Sequence, residues 1–480
     1  MPSIKKNFFY NGLLTVANYL FPLITYPYVS RVLGVSNIGI CNFVDSIVNY
    51  FILFSMMGVA IVGVREIAAV REDREARNRV FSDLIALNGL TSGLAAVALV
   101  AAIFVVPALA EYRSLLWIGV VKILANFLCM DWLFQGMEEF KYITNRTILV
   151  KFLYVAGVFL LVRKPEDYPV YYLLLTLMVV LNAGINLSYA RRFVSFRKQE
   201  VDWARHVRPF FTMGLYMFLT SMYTTFNVTY LGFVSDTVQV GYYTSATKVF
   251  SMVIALFTAF TTVMLPRMSA VLSEGRKDEF LGLVSKTFRI LFIVGVPVIL
   301  LLLVGAGDVI RILSGKGYEG AVVPMRIVAP LILVIGMEQI LVVQVMMPMK
   351  MDRAVFVNSA VGAGVGILLN LLLVRFMLAQ GSAIVWVVSE LSVFLCAWIA
   401  VSRNLSLYFP LGDLVRVIVF HLPLVPLLLL FLPVGNAFLR LGCQGAVTGL
   451  YMLVVNLLFF KDGALALWIR SIWRKVFASC

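Results

Sequence analysis

Charge is scarce in this chain of 480 residues: Asp, Glu, Lys and Arg together make up 14% of it. Histidine is nearly absent, with only His206 and His421, so a zinc site of imidazole ligands is excluded. The five cysteines, Cys41, Cys129, Cys396, Cys443 and Cys480, are scattered, form no CxxC pair and suggest no disulfide framework. No GxxxxGK[ST] run occurs. The nearest stretch, SGKGYEG (314–320), lacks the spacing, so no ATPase motor is expected. Long polar stretches are missing too, and with them any soluble domain that would carry a Ser-His-Asp or paired-carboxylate arrangement. The chain is not expected to be an enzyme or to hold a cofactor or metal. Nor is a cleavable leader expected, because the apolar run after Lys5 and Lys6 continues past Val29, too long for a signal peptide.

What the chain has in abundance is apolar surface, 61% of its residues. No soluble core of this size needs so much, so the chain belongs in a bilayer as an all-α integral membrane protein. A window of about 19 residues yields about 14 transmembrane helices, at 8–29, 38–63, 84–109, 115–135, 143–162, 169–190, 209–233, 240–265, 288–306, 321–347, 354–377, 382–401, 413–434 and 441–460. The formal charge of +15 then has a topological meaning. With both termini cytoplasmic, about 28 of the 40 Lys and Arg fall on the cytoplasmic side and about 8 on the outer side. That is a strong positive-inside bias, and it supports an even number of spans. Clusters such as REDREARNR (71–79) and RRFVSFRK (191–198) read as topology signals and headgroup contacts, and no nucleic-acid partner is expected.

An internal repeat adds organisation. NIGICNFVDS (37–46) aligns with QVGYYTSATK (239–248) at an offset of 202, pairing Gly39 with Gly241 and Ser46 with Lys248; Arg65 pairs with Arg267 at the same offset. CMDW (129–132) and GMEQ (336–339) agree loosely. Two parallel six-helix halves follow, 1–208 and 209–402, with an additional helix pair and tail over 403–480.

Polar residues stripe the first two helices of each half. Asn42, Asp45 and Asn49 are spaced i, i+3, i+7 on one helix face. The first span carries Asn11, Thr15, Asn18, Pro22 and Thr25; the seventh, Thr220, Thr224 and Asn227; the eighth, Thr244, Lys248 and Ser251. An ionisable group at mid-membrane costs on the order of 3 kcal/mol, so Asp45 and Lys248 are expected to face a hydrated cleft. Lys122, Lys151 and Arg326 also fall inside spans, with Asp131, Glu338 and Glu390 as candidate partners. For the Asn and Thr residues, hydrogen bonding to neighbouring helices is the competing reading. Pro22 and Pro27 are expected to bend the first span, and GAGVG (362–366) offers a GxxxG packing pair.

Three stretches carry a resemblance: LFPLITYPYVSRVLGVSNIGICNFVDSIVNYF (20–51), GVREIAAVRED (63–73) and DWLFQGMEEFKYITNRTILVKFLYVAGVFLLVRKPEDYPVYY (131–172). They resemble the polysaccharide flippase family, the Wzx-like O-antigen translocases, within a larger group that includes MATE-type exporters and lipid II flippases. The resemblance covers the first half well, thins in the second, and is generic beyond about residue 403. It implies two six-helix bundles in a V-shaped alternating-access transporter. It also implies a substrate, an oligosaccharide on undecaprenyl pyrophosphate moved to the outer leaflet of a bacterial inner membrane. The implied partners are H+ or Na+ as coupling ion, membrane lipids, and a polysaccharide polymerase with its chain-length regulator. Arg31, in PYVSRVLG, matches a family arginine, and Asp45 and Lys248 fall where related flippases keep charged cavity residues. The expected assignment is therefore substrate binding by Arg31, Lys248, Asn42, Asn49, Asn18, Asn227, Lys122 and Arg326, and ion coupling through Asp45 and Asp131. The rival readings are a MATE-like small-molecule exporter and a lipid II flippase.

Overall fold

A computed structural model describes residues 4–195, 202, 204–405 and 407–460. The C-terminal tail and the end of the basic run RRFVSFRK lie outside them. Among the described residues there is helix and no strand. That is what a bilayer demands of a chain whose backbone amides must find their partners within one segment.

The first helix, α1 (Ile4–Met56), runs helically through Pro22 and Pro27; its only non-helical residue is Gly34, at φ 76°. The break in helical backbone falls at this glycine, between the two spans read at 8–29 and 38–63, because a left-handed φ has little steric cost there. Next come α2 (Val59–Ala69), α3 (Arg74–Val105), α4 (Arg113–Phe127), α5 (Asp131–Gly136), α6 (Phe140–Leu161) and α7 (Tyr168–Ala190). Asp73 caps α3 by accepting from the amides of Glu75 and Ala76 at 2.9 and 3.0 Å, which satisfies two of its orphan donors. The chain continues through α8 (Ala204–Thr224), α9 (Phe226–Val234), α10 (Thr237–Ser273) and α11 (Lys277–Leu313). The remainder is α12 (Val322–Val328), α13 (Leu331–Gln339), α14 (Asp352–Leu369), α15 (Arg375–Asn404), α16 (Leu411–His421), α17 (Leu424–Leu429) and α18 (Ala437–Val455).

Ten helices among the described residues are long and apolar enough to cross a membrane. Two of these, Gly12–Ala69 and Asp352–Asn404, have 58 and 53 residues, where one crossing takes about 20. The second, like the first, holds a break, at Leu378 with φ 52°. The segments read at 209–233 and 240–265 lie on α8, α9 and α10, outside those ten.

The chain folds into two compact units that cut across sequence order. One comprises 1–245, 313–321 and 359–389; the other comprises 246–312, 322–358 and 390–480. In the first, a core gathers Val62, Ile67, Phe81, Leu84, Trp132, Phe134 and Phe210. In the second, Phe280, Phe288, Phe292, Leu341, Phe394 and Val417 pack together. Lipid tails are as apolar as these side chains, so close packing and hydrogen bonds, rather than water exclusion, hold such helices together.

Candidate functional site

The polar stripe on α1 comes to one place in the first unit. Lys122 of α4 forms an ion pair with Asp45, and the Asn49 amide donates to the other carboxylate oxygen at 3.1 Å. Gly119 makes the approach possible. A Cβ there would lie 2.4 Å from Val48, so only glycine lets α4 close on α1, and Lys122 follows three residues later on the same face. The Lys122 side chain is 11% exposed and that of Asp45 29%. The charge at mid-span is thus matched inside the protein, with neither side chain wholly enclosed. Tyr172 of α7 and Cys41 lie close to the same carboxylate.

The two aligned segments of the proposed repeat meet directly. A Cβ on Gly39 would lie 1.7 Å from the Thr237 carbonyl oxygen and 3.1 Å from the Gly241 amide. Asn42 donates to Thr244 Oγ1 at 3.0 Å, and Ser36 and Thr237 share a hydrogen bond of 2.9 Å. Gly39 to Gly241 and Asn42 to Thr244 are both 202 residues apart, the offset read from the sequence. Tyr26 and Ser245 close the same seam at 2.5 Å. Lys248 follows one turn after Thr244 on α10 and is half-buried.

Arg31 is exposed, and its guanidinium donates to the Pro27 carbonyl one turn back. Beside it runs SGKGYEG, whose Gly315 and Gly317 take φ 94° and 85°. Gly315 lies against the Arg31 stem, and the Tyr318 hydroxyl donates to the Ser30 carbonyl at 3.2 Å. The loop that lacks phosphate-loop spacing is therefore a cover on the end of the first span. Asn18 is exposed and accepts from Lys151 at 2.6 Å.

Other expected site residues have partners of their own. Asn227 is wholly buried, accepts from Asn370 at 2.7 Å and donates to the Tyr243 hydroxyl at 3.4 Å. Arg326, in the second unit, is exposed and donates to the Leu303 carbonyl at 3.0 Å. Asp131 accepts from Arg146 at 2.7 Å and from Asn186 at 3.0 Å. Arg146 also donates to Asn186 at 2.5 Å, and Tyr142 does so at 2.8 Å. This second charge cluster sits beneath a stack of Tyr142 on Tyr189, centroids 3.6 Å apart. Thus the block WLFQGMEEFKYIT contributes Trp132, Leu133, Phe134 and Ile143 to a packed core.

Sequence reasoning missed Arg146, which stands three residues inside the fifth span and was counted among the loop bases. It paired neither Lys122 with Asp45 nor Asp131 with Arg146. A mid-span lysine and a mid-span aspartate on separate helices signal a pair, but helix order alone does not say which lysine meets which aspartate.

Comparison with known proteins agrees with this architecture. A family model described as polysaccharide biosynthesis protein matches residues 4–272. A protein of Escherichia coli (strain K12) called putative O-antigen transporter is 27% identical over 376 residues, covering 78% of this chain and 89% of its own length. A Shigella dysenteriae protein of the same description is 27% identical over 275 residues, 55% of this chain and 67% of its own. Among solved structures, the lipid II flippase MurJ in an inward closed conformation superposes with a TM-score of 0.74 at 14% identity, covering 94% of this chain and 99% of that one. An inward-facing multidrug resistance MATE family transporter of the MOP superfamily gives 0.62 at 14% identity over 81% of this chain and 94% of its own. At such identities these two likenesses concern the fold. The chain, matched over more than half its length, belongs to the polysaccharide biosynthesis protein family.

Proposed function

We propose that the protein is a flippase. It moves oligosaccharide units linked to undecaprenyl pyrophosphate from the cytoplasmic to the outer leaflet of the bacterial inner membrane, for assembly of surface polysaccharide. The family and the O-antigen transporters among its relatives support this substrate class. The observation that carries the reading is the ion pair of Asp45 with Lys122, set in apolar helices and incompletely enclosed by them. Ionisable side chains within spans mostly face the bundle interior or a water-filled cavity, pair with one another, and mark substrate or ion pathways. A sugar–pyrophosphate head cannot cross hydrocarbon unaided, because its polar groups would lose their water.

In this reading Asp45 is the ion-coupling carboxylate and Lys122 its resident counter-ion. When H+ or Na+ neutralises Asp45, Lys122 is released as a free cation for the anionic head. Arg31 and Lys248 are further contacts for phosphate oxygens, to which guanidinium and ammonium are both suited. Asn18, Asn42 and Asn49 offer amides to sugar hydroxyls. Outward movement of an anion gains about 2.3 kcal/mol per charge per 100 mV of inside-negative potential. Both termini are cytoplasmic, and the chain comprises halves 1–208 and 209–402 with a helix pair over 403–480. The contacts at an offset of 202 support that division.

The test is expression in cells whose own polysaccharide flippase is deleted. Return of surface polymer supports the reading. Rescue of cell-wall synthesis in cells depleted of their lipid II flippase, with no return of polymer, would assign the other lipid-linked substrate. Drug resistance without either would assign export of small molecules.

A further inference from the structure

A cavity of about 490 Å³ in the second unit lies between the start of α14 and the end of α15. Its lining has two characters. Lys350, Arg353 and Arg403 are cationic, while Met351, Val357 and Ile399 are apolar. Among the described residues none of the three cations has a carboxylate partner. Asp352 stands between two of them in sequence but does not line the cavity.

The arrangement repeats on both helices. Arg353 is in the first turn of α14, and Val357 lies one turn deeper on the same face. Arg403 is in the last turn of α15, and Ile399 lies one turn deeper. Val357 and Ile399 are among the most exposed aliphatic side chains there, at 47% and 48%. Each helix therefore offers a cation at its end and a bare aliphatic surface one turn into the hydrocarbon. Lys350 adds a third charge from a left-handed backbone, φ 55°.

We propose that this cavity is a binding site for a two-chained anionic phospholipid of the cytoplasmic leaflet. The three cations hold its phosphate, and its acyl chains lie on Val357, Ile399 and the helix faces below. A free phosphate ion satisfies the cations alone and leaves the aliphatic wall unused. A zwitterionic lipid satisfies the wall and brings its own cation against the three. An acidic phospholipid matches both surfaces, its head against the cations and its two chains against the two aliphatic walls at Val357 and Ile399, whereas a polyprenyl phosphate brings a single chain. Basic pockets between helices on this side of a membrane recognise acidic headgroups in the same manner.

Cys396, which lines the cavity, supplies a reporter in the unaltered protein. The full chain is placed in nanodiscs of phosphatidylcholine, either alone or with one fifth phosphatidylglycerol, and alkylation of each cysteine is followed by mass spectrometry. Phosphatidylglycerol is expected to slow alkylation of Cys396 severalfold while leaving Cys443 unchanged. In native mass spectrometry, Lys350→Gln, Arg353→Gln and Arg403→Gln together should lose one tightly held phosphatidylglycerol, with affinity falling on the order of tenfold or more. A control carrying Lys277→Gln and Lys286→Gln, exposed cations outside the cavity, should keep it. The proposal is overturned if Cys396 is not protected or if the triple variant binds phosphatidylglycerol like the control. It is also overturned if inorganic phosphate or an undecaprenyl phosphate displaces the phospholipid and protects in its place.

Discussion

Gly39 and Gly241 stand face to face: a Cβ on the first would lie 1.7 Å from the Thr237 carbonyl oxygen, and one on the second 2.3 Å from the Val35 carbonyl oxygen. Each glycine admits the backbone of the other's segment, and neither obstruction is a side chain that can swing away. Gly39→Leu or Gly241→Leu is therefore expected to push the helices apart, at a cost of about 1–3 kcal/mol or more. Folded yield in detergent, read by fluorescence-detected size exclusion, should fall severalfold for either. Gly364→Leu, at a position with nothing within 4 Å, serves as the control and should leave the yield unchanged.

The pair of Asp45 and Lys122 makes a second prediction. Asp45→Asn leaves a half-buried ammonium without its counter-ion, and Lys122→Gln does the converse. Breaking a fully buried pair costs about 3–5 kcal/mol; with Asp45 partly solvated the expected loss is about 1–3 kcal/mol. The variant carrying both changes should recover most of the thermal stability, because no lone charge remains. Its surface-polymer assay then decides the coupling role. Flux that persists with full dependence on the ion gradient would remove Asp45 from that role.

Asn227 and Asn370 predict an effect on folding rather than on substrate. Asn370→Leu leaves the buried Asn227 carbonyl oxygen without its 2.7 Å donor, a loss of about 1–3 kcal/mol. The melting temperature should drop while the sugar preference of the surviving transporter stays the same.

His206 gives a pH dependence. It is buried beside Arg205 and Asp83, with Arg205 donating to its Nε2 at 3.0 Å. Loss of water and the adjacent guanidinium lower its pKa from the ordinary histidine value, against the opposing pull of Asp83, Glu66 and Asp202. A lowered value favours the neutral ring in the folded state. Its stabilising contribution is complete above about pH 6.5 and declines as pH falls from there toward the folded value. Unfolding temperature measured between pH 7.5 and 5 should fall, and His206→Gln should flatten that part of the slope.

Much of the fold was legible because hydrocarbon imposes a simple grammar. Apolar runs marked the chain as helical and membrane-spanning, and the break between the first two expected spans was located to within a few residues of Gly34. The repeat register, read from Gly39 and Gly241, reappears as contact. The site was legible as a stripe, since Asn42, Asp45 and Asn49 share a face by periodicity. Its partner was not, because the pairing with Lys122 depends on α4 closing at Gly119, and a lone glycine in a span carries no address. Pro22 and Pro27 lie within helical backbone, and the break in φ and ψ stands beyond them at Gly34, where only a residue without Cβ takes φ 76° at little cost. Arg146 was hidden by its closeness to a loop, where one turn of helix separates a surface base from the partner of Asp131.

The seam at Gly39 and Gly241 bears on ancestry. Residues that meet their own counterparts mark a two-fold axis, and along such an axis a surface must be complementary to itself. In the reading of 1–208 and 209–402 as copies of one half, a forebear of single length carried this glycine ridge on its second span and could associate through it with an identical copy. Fusion of two such genes would keep the ridge and free every off-axis position to diverge, Ser46 from Lys248 among them.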